Sequence, residues 1–184
     1  MHQRRSLVQP SIHGFPPIEN ENAELLILGS MPSEESLRAR QYYAHPRNAF
    51  WPIMMDLLGG RIDLDYEDQA QLLVDNRIAL WDTLKSCIRS GSLDSAIVDT
   101  SIETNDFNAF FRHHENIRHI FFNGQKSRQV YSNYVLPGLS ESFRSIESSV
   151  LPSTSPAMAS LNRRKKTDAW RAILGVLNRE GWDS

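Results

Sequence analysis

Leu25-Leu26-Ile27-Leu28 is an unbroken apolar run closed by Gly29. A strand with one wet face alternates apolar and polar residues, whereas one without alternation needs cover on both faces, as in a parallel sheet. Further strand candidates are Ile78-Ala79-Leu80-Trp81, residues 117–122 stopped by Asn123-Gly124, and residues 143–151 ended by Pro152. Helical patterns fall between them. Phe50, Trp51, Met54, Leu57 and Leu58 recur at helical spacing before Gly59-Gly60, and residues 69–74, 105–114, 125–135 and 169–177 also read as helices. The alternation predicts a three-layer α/β/α domain over residues 24–184, with a central, mostly parallel four-stranded sheet. Residues 1–23, with prolines at 10, 16 and 17, read as an irregular lead-in.

A chain of 184 residues, 40% hydrophobic and 23% charged, fits one soluble domain. Its longest apolar run falls far short of the about 20 residues that span a bilayer. The basic start, Met1-His2-Gln3-Arg4-Arg5, is not followed by the apolar stretch of a secretory signal, so a cytoplasmic protein is expected, and separately a monomer. The single cysteine, Cys87, excludes an internal disulfide and any Cys-rich metal site, and reads as a small buried hydrophobe. The six histidines lack ligand spacing, so neither metal nor cofactor is expected. The net charge of −2 hides a split: residues 54–106 hold four basic and eleven acidic side chains, the remainder sixteen basic and eleven acidic. A basic face on an acidic protein and a solvated acidic patch among scattered cations both fit that split.

Ligands of parallel sheets bind beyond the carboxyl ends of the strands. Four segments leave those ends: Gly29-Ser30-Met31-Pro32-Ser33, Trp81-Asp82-Thr83, Asn123-Gly124 and Pro152-Ser153-Thr154-Ser155-Pro156. The first lacks the Gly-Lys-Ser/Thr ending of a phosphate loop. The string Tyr42-Tyr43-Ala44-His45-Pro46-Arg47-Asn48-Ala49-Phe50-Trp51 suits a site that grips a flat polar ring. It also reads structurally, with Asn48 capping a helix that starts at Ala49 and Phe50 and Trp51 in the core. The two roles of Asn48 are compatible, because a cap fixes its side chain. Arg163-Arg164-Lys165-Lys166 reads either as a solvated helix start or as a phosphate track.

The Gly29–Ser33 turn, the string His45-Pro46-Arg47-Asn48-Ala49-Phe50-Trp51 and the loop Leu151-Pro152-Ser153-Thr154-Ser155-Pro156, in that order, resemble the uracil-DNA glycosylase superfamily. The likeness spans about residues 25–160 and is greatest to its hypoxanthine-DNA glycosylase branch. It implies a monofunctional enzyme of base-excision repair that acts on DNA containing deaminated bases, hydrolyses the N-glycosidic bond of hypoxanthine, with uracil as a further substrate, and leaves an abasic site. The mismatch-specific branch carries a water-activating asparagine where this chain has Met31, whereas the hypoxanthine branch uses the asparagine of the HPxN string, matching Asn48. Asn48 is therefore the expected catalytic residue.

By the same resemblance Asn123 reads the base edge, Phe50 stacks on the base, and Gly29, Ser30 and Met31 line its site. Ser153, Thr154, Ser155 and Pro156 press on the DNA backbone. Apart from the resemblance, Met158 is a candidate wedge, since apolar side chains fill the gap of a flipped nucleotide, and Arg163, Arg164 and Lys165, coming after that loop, are candidates to track phosphates. A carboxamide places donors beside an acceptor and so fits the lactam edge of hypoxanthine or uracil. Three alternatives stay open: a uracil-directed enzyme with little hypoxanthine activity, a silent binder of damaged DNA in which Met31 marks lost catalysis, and a small-molecule nucleotide-binding protein.

Overall fold

In chain order the strands and helices of the computed structural model, which describes residues 10–61 and 63–177, are β1 (Ile12–His13), β2 (Leu25–Gly29), α1 (Glu34–Ala39), α2 (Phe50–Leu58), α3 (Tyr66–Asp75), β3 (Ile78–Asp82), β4 (Leu84–Cys87), β5 (Glu103–Thr104), α4 (Phe107–His113), β6 (His119–Asn123), α5 (Gln125–Val130), α6 (Glu141–Arg144), β7 (Glu147–Leu151), α7 (Arg163–Trp170) and α8 (Ala172–Leu177). The main sheet has the order β3-β2-β6-β7, with every pair parallel. All five residues of β2 are buried, which explains its continuous apolar sequence. Successive side chains of a strand point to opposite faces. Leu25 and Ile27 pack with Phe50, Ile53 and Met54 of α2 and with Trp170 and Ile173 of α7 and α8. Leu26 and Leu28 pack with Phe107, Phe110 and Phe111 of α4 and with Tyr131. Each fully buried Leu or Ile contributes about 1.5–3 kcal/mol, so the two layers clamp the sheet from both sides. Among the described residues no helix is long and apolar enough to cross a membrane.

Several boundaries differ from the sequence reading. The lead-in is not wholly irregular: β1 pairs antiparallel with β4, which pairs with β5 in a small second sheet, and Ile18 exchanges backbone hydrogen bonds with Leu80 at the edge of β3. Two-residue strands are too short to carry a hydrophobic period. The last strand begins at Glu147, because residues 141–144 turn as α6. The final helix is two helices, the first opened by Asn162, whose side chain accepts from the Lys165 N–H, so the basic tetrad is itself helical. Helix α1, capped by the Ser33 hydroxyl, has too few turns to display an apolar stripe. Residues 1–9, with the basic start, and 178–184 lie outside the described residues.

Parallel pairing brings the strand ends to one rim. Gly29 lies in register with Asp82, and Asn123 with Leu151, so three strand ends deliver a glycine, a carboxyl and a carboxamide side by side.

Candidate active site

Beyond that rim opens a cavity of about 390 Å³, lined by Gly29, Met31, Tyr43, Asn48, Asp82, Asn123 and the loops that carry them. Its volume falls in the range of small-molecule sites, about 300–1,000 Å³.

One wall is the segment before α2. Its shape is over-determined: the Tyr42 N–H donates to the Tyr66 hydroxyl at 3.0 Å, the Tyr42 carbonyl accepts from Trp51 Nε1 at 2.8 Å, and the Ala44 N–H donates to the Ser36 hydroxyl at 3.1 Å. These bonds hold Tyr43 at φ 55°, a left-handed conformation unusual for an aromatic residue. Its ring lies against Phe50, centroids 4.2 Å apart and planes 28° from parallel. Phe50 itself is wholly inaccessible, with Trp51 and Trp170 edge-on to it. The expectation that Phe50 stacks on a base is therefore corrected: Phe50 is core, and Tyr43, with Tyr42 beside it, lines the cavity.

Asn48 lies on the same wall, half-buried. Its Oδ1 accepts from the Phe50 N–H at 3.0 Å. The helix starts at Phe50 rather than Ala49, and Asn48 caps it from one residue further out. The cap occupies one lone pair of Oδ1, and the second lone pair and the amide –NH₂ remain for the cavity.

The opposite wall is the 152–156 loop, anchored from several sides. The Pro152 carbonyl accepts from Trp170 Nε1 at 2.9 Å, the Ser155 carbonyl from Lys166 Nζ at 3.3 Å, and the Thr154 carbonyl from the Ala49 N–H at 3.0 Å. The Asn123 carboxamide brackets Thr154: its Nδ2 donates to Thr154 Oγ1 and its Oδ1 accepts from the Thr154 N–H, each at 2.9 Å. Two corrections follow. Thr154, 1% accessible and bonded on both sides, is a structural pin and not a phosphate contact. Asn123 reaches the cavity but holds Thr154 with one donor and one lone pair, so its paired edge is not free for a base. Gly124, at φ 92°, lets the loop close in, since a Cβ there would stand 3.0 Å from Ser153 Cβ. Ser153, Ser155 and Pro156 are half-buried; Ser153 and Ser155 also line the cavity.

The turn after β2 is bound from beneath. Arg89, its side chain fully buried, donates to the carbonyls of Gly91, Met31 and Pro32 and lies 3.8 Å from Asp94. Asp94 Oδ2 accepts from the Ser30 hydroxyl at 2.6 Å. Burial raises the Asp94 pKa against the pull of Ser30, Arg89 and Lys126. Met31 lines the cavity while packing with Leu84, Cys87 and Val130.

Asp82 was read from sequence only as part of a strand-end segment. It is 3% accessible and lines the cavity floor. Desolvation, and then the nearby Asp94, push its pKa up to about 7, opposed by Arg89. Gly29 makes room for it, because a Cβ there would stand 2.3 Å from Asp82 Oδ1 and 2.9 Å from the Tyr43 hydroxyl. Sequence reasoning placed Tyr43 in a string suited to gripping a flat ring without giving it a role of its own, and passed over Asp94 and Lys126. An acidic residue ending an apolar strand was the available signal for Asp82, and the doubled Tyr42-Tyr43 for the ring. Among the described residues no group of three His, Cys, Asp or Glu side chains is placed to hold a metal ion.

The sequence profile of the Uracil DNA glycosylase superfamily matches residues 16–174. The chain belongs to this superfamily. A Methanosarcina acetivorans protein named Hypoxanthine DNA glycosylase is 39% identical over 161 residues, covering 87% of this chain and 96% of the relative. A Methanosarcina barkeri protein of the same name is 40% identical over 115 residues, covering 62% of this chain and 72% of the relative. The solution NMR structure of a candidate uracil DNA glycosylase from Methanosarcina acetivorans superposes with a TM-score of 0.71 at 39% identity, covering 90% of this chain and 99% of that one. In this uracil DNA glycosylase family member the cavity mouth carries two exposed apolar side chains, Leu93 at 58% and Met158 at 37% accessibility. Arg163, Arg164 and Lys165 stand exposed on the first turn of α7, while Lys166 turns inward.

Proposed function

We propose that this protein is a monofunctional DNA glycosylase that removes hypoxanthine from DNA and leaves an abasic site. The observation that carries the reading is Asn48, its side chain anchored by the Phe50 N–H, lining a cavity roomy enough for a nucleobase beside Tyr43. The names of the two Methanosarcina relatives support hypoxanthine as the substrate. Uracil, which presents the same lactam edge, is a second substrate of this reading.

The target base leaves the stack and enters the cavity against the Tyr43 ring, an extrusion that costs a few kcal/mol and is easiest at a damaged pair. The bond from C1′ to the base then breaks, and its electron pair goes to the base. Water adds its hydroxyl to C1′ and its proton ends on the base. A carboxamide is too weak to act as a strong base, so Asn48 contributes by position: its free lone pair and –NH₂ orient the water, and the bond from Phe50 removes the need to reorganise. Ser153 and Ser155 at the rim and the exposed Arg163, Arg164 and Lys165 engage phosphates of the DNA on which the monomer acts. Met158 fills the gap left by the extruded nucleotide.

The test is base release from labelled single- and double-stranded oligonucleotides bearing hypoxanthine or uracil. Wild type is expected to release hypoxanthine, and Asn48→Ala to be slower by about 10²–10³-fold, the effect of removing one preorganised polar group. Near-normal release by Asn48→Ala removes Asn48 from this role. DNA binding without release supports the silent binder instead.

A further inference from the structure

Leu93 is the most exposed large apolar side chain among the described residues, and it lines the same cavity as Asn48. A lone exposed leucine is ordinary on a protein surface. This one shares its cavity mouth with a second exposed apolar residue, Met158, and the two arrive from opposite directions. Leu93 lies on the loop after β3 and β4, Met158 on the loop after β7, and β3 and β7 are the two edges of the main sheet. The mouth therefore stands between two apolar posts.

The loop that carries Leu93 is firmly held. Its neck is closed by the Val98 N–H, which donates to the Ile88 carbonyl at 2.9 Å. The residues on either side of Leu93 are tied to neighbouring segments: Ser92 Oγ accepts from the Glu34 N–H at 2.9 Å, and Asp94 accepts from Ser30. From within the loop, Arg89 donates to the Gly91 carbonyl and reaches across to the carbonyls of Met31 and Pro32. The Leu93 carbonyl accepts from the Ala96 N–H at 3.0 Å and opens a short turn over Asp94–Ala96. With both neighbours fixed, Leu93 has no route back into the core. A side chain that lines a cavity yet keeps more than half its surface in water projects past the rim, toward whatever lies across the mouth.

We propose that Leu93 is a second apolar wedge, set across the mouth from Met158, which packs against the base stacked next to the extruded nucleotide in double-stranded DNA. The inference rests on the glycosylase reading and adds to it a residue that governs extrusion and not bond breaking. When a nucleotide leaves the stack, each of its two neighbours is left with a bare, flat face. An aliphatic side chain seated on such a face replaces part of the lost stacking, as apolar wedges do in opened or kinked duplexes. Two faces match two posts. Because the loop is fixed before DNA arrives, seating Leu93 costs little ordering of the chain. Leucine has no polar atom to offer the reaction, so its effect falls on how much of the DNA is held open. A single strand has no pair to break, so extrusion from it needs the wedge less.

The test is single-turnover release of hypoxanthine from a duplex and from the same strand alone, for wild type, Leu93→Ala, Leu93→Met and a surface control, Leu136→Ala, whose side chain is exposed but does not line the cavity. The burial of one leucine side chain sets the scale, so Leu93→Ala is expected to be slower on the duplex by about tenfold. That loss is expected to exceed the loss on the single strand by about fivefold. Leu93→Met keeps an apolar chain of similar volume and is expected to recover most of the duplex rate, and Leu136→Ala to match wild type. A 2-aminopurine beside the hypoxanthine is expected to brighten as wild type opens the stack, and to brighten less with Leu93→Ala. A Leu93→Ala variant as fast as wild type on the duplex, or slowed alike on both substrates, overturns the assignment, and so does a wild type that acts on the single strand alone. Wild type that releases hypoxanthine from neither substrate overturns the glycosylase reading itself.

Discussion

Replacing Asp82 by Asn should stabilise the protein, and by an amount that depends on pH. In the folded chain burial and Asp94 hold the Asp82 carboxyl at about 7 against 3.8 for a free aspartate. Between those values the fold keeps a proton that the unfolded chain has released, so stability falls as pH rises through this window and stays low above it. About three pH units at about 1.4 kcal/mol each amount to about 4 kcal/mol of lost stability at pH 8. Near pH 5 only about a third of that has accrued. Asp82→Asn fills the same space and carries no charge, so it escapes the loss. For a chain of this size about 1 kcal/mol moves Tm by about 2–4 °C, so the variant should melt about 8–16 °C above wild type at pH 8. At pH 5 the gap should shrink to roughly a third of that. Thermal melts of both proteins at the two pH values measure it. A gap of the same size at both, or a wild type more stable than the variant at pH 8, refutes the reasoning, because either result means that Asp82 does not lose a charge to burial.

Two further outcomes follow from the cavity walls. Tyr43→Ala should slow base release by the worth of one base–aromatic stack, about 1–3 kcal/mol, while Tyr43→Phe keeps the ring and stays close to wild type; parallel single-turnover assays compare them, and equal losses would mean the hydroxyl matters and not the face. Neutralising Arg163, Arg164 and Lys165 together should weaken DNA binding alike for damaged and undamaged strands and reduce the log–log salt slope by about 0.7–0.9 per phosphate contact removed, as titrations at several salt concentrations report.

The parallel sheet was legible because its strands are buried on both faces, and Leu25-Leu26-Ile27-Leu28 writes that burial into consecutive letters. Its strand ends were legible for the same reason: a glycine, an aspartate and an asparagine stop the runs at 29, 82 and 123. Direction was not. Nothing in Phe50-Trp51 says that both rings turn inward, because an amphipathic helix hides its first apolar residue as readily as its fourth. Instead Tyr43 lines the cavity beside Tyr42, its left-handed backbone imposed by hydrogen bonds that its neighbours donate to the Ser36 and Tyr66 hydroxyls and accept from Trp51. Thr154 and Asn123 failed in a related way. A hydroxyl and a carboxamide are equally suited to a ligand and to each other, and only the approach of two loops, allowed by Gly124, decides that they bind each other.

That pairing is informative about the site as a whole. By tying itself to Thr154, Asn123 sets the distance between the 152–156 loop and the sheet, and the Ala49–Thr154 bond passes that setting on to Asn48. The carboxamides at 48 and 123 are thus each half-committed to the scaffold, which fixes them without strain. Tyr43 and Asp82 are different: one holds an unfavourable backbone angle, the other a carboxyl without a partner, and both abut Gly29. Features that cost stability persist where the surrounding structure enforces them, and they gather at functional sites. In this protein the Asn123–Thr154 pairing builds the frame, and Asn48 lines the cavity together with the two costly groups.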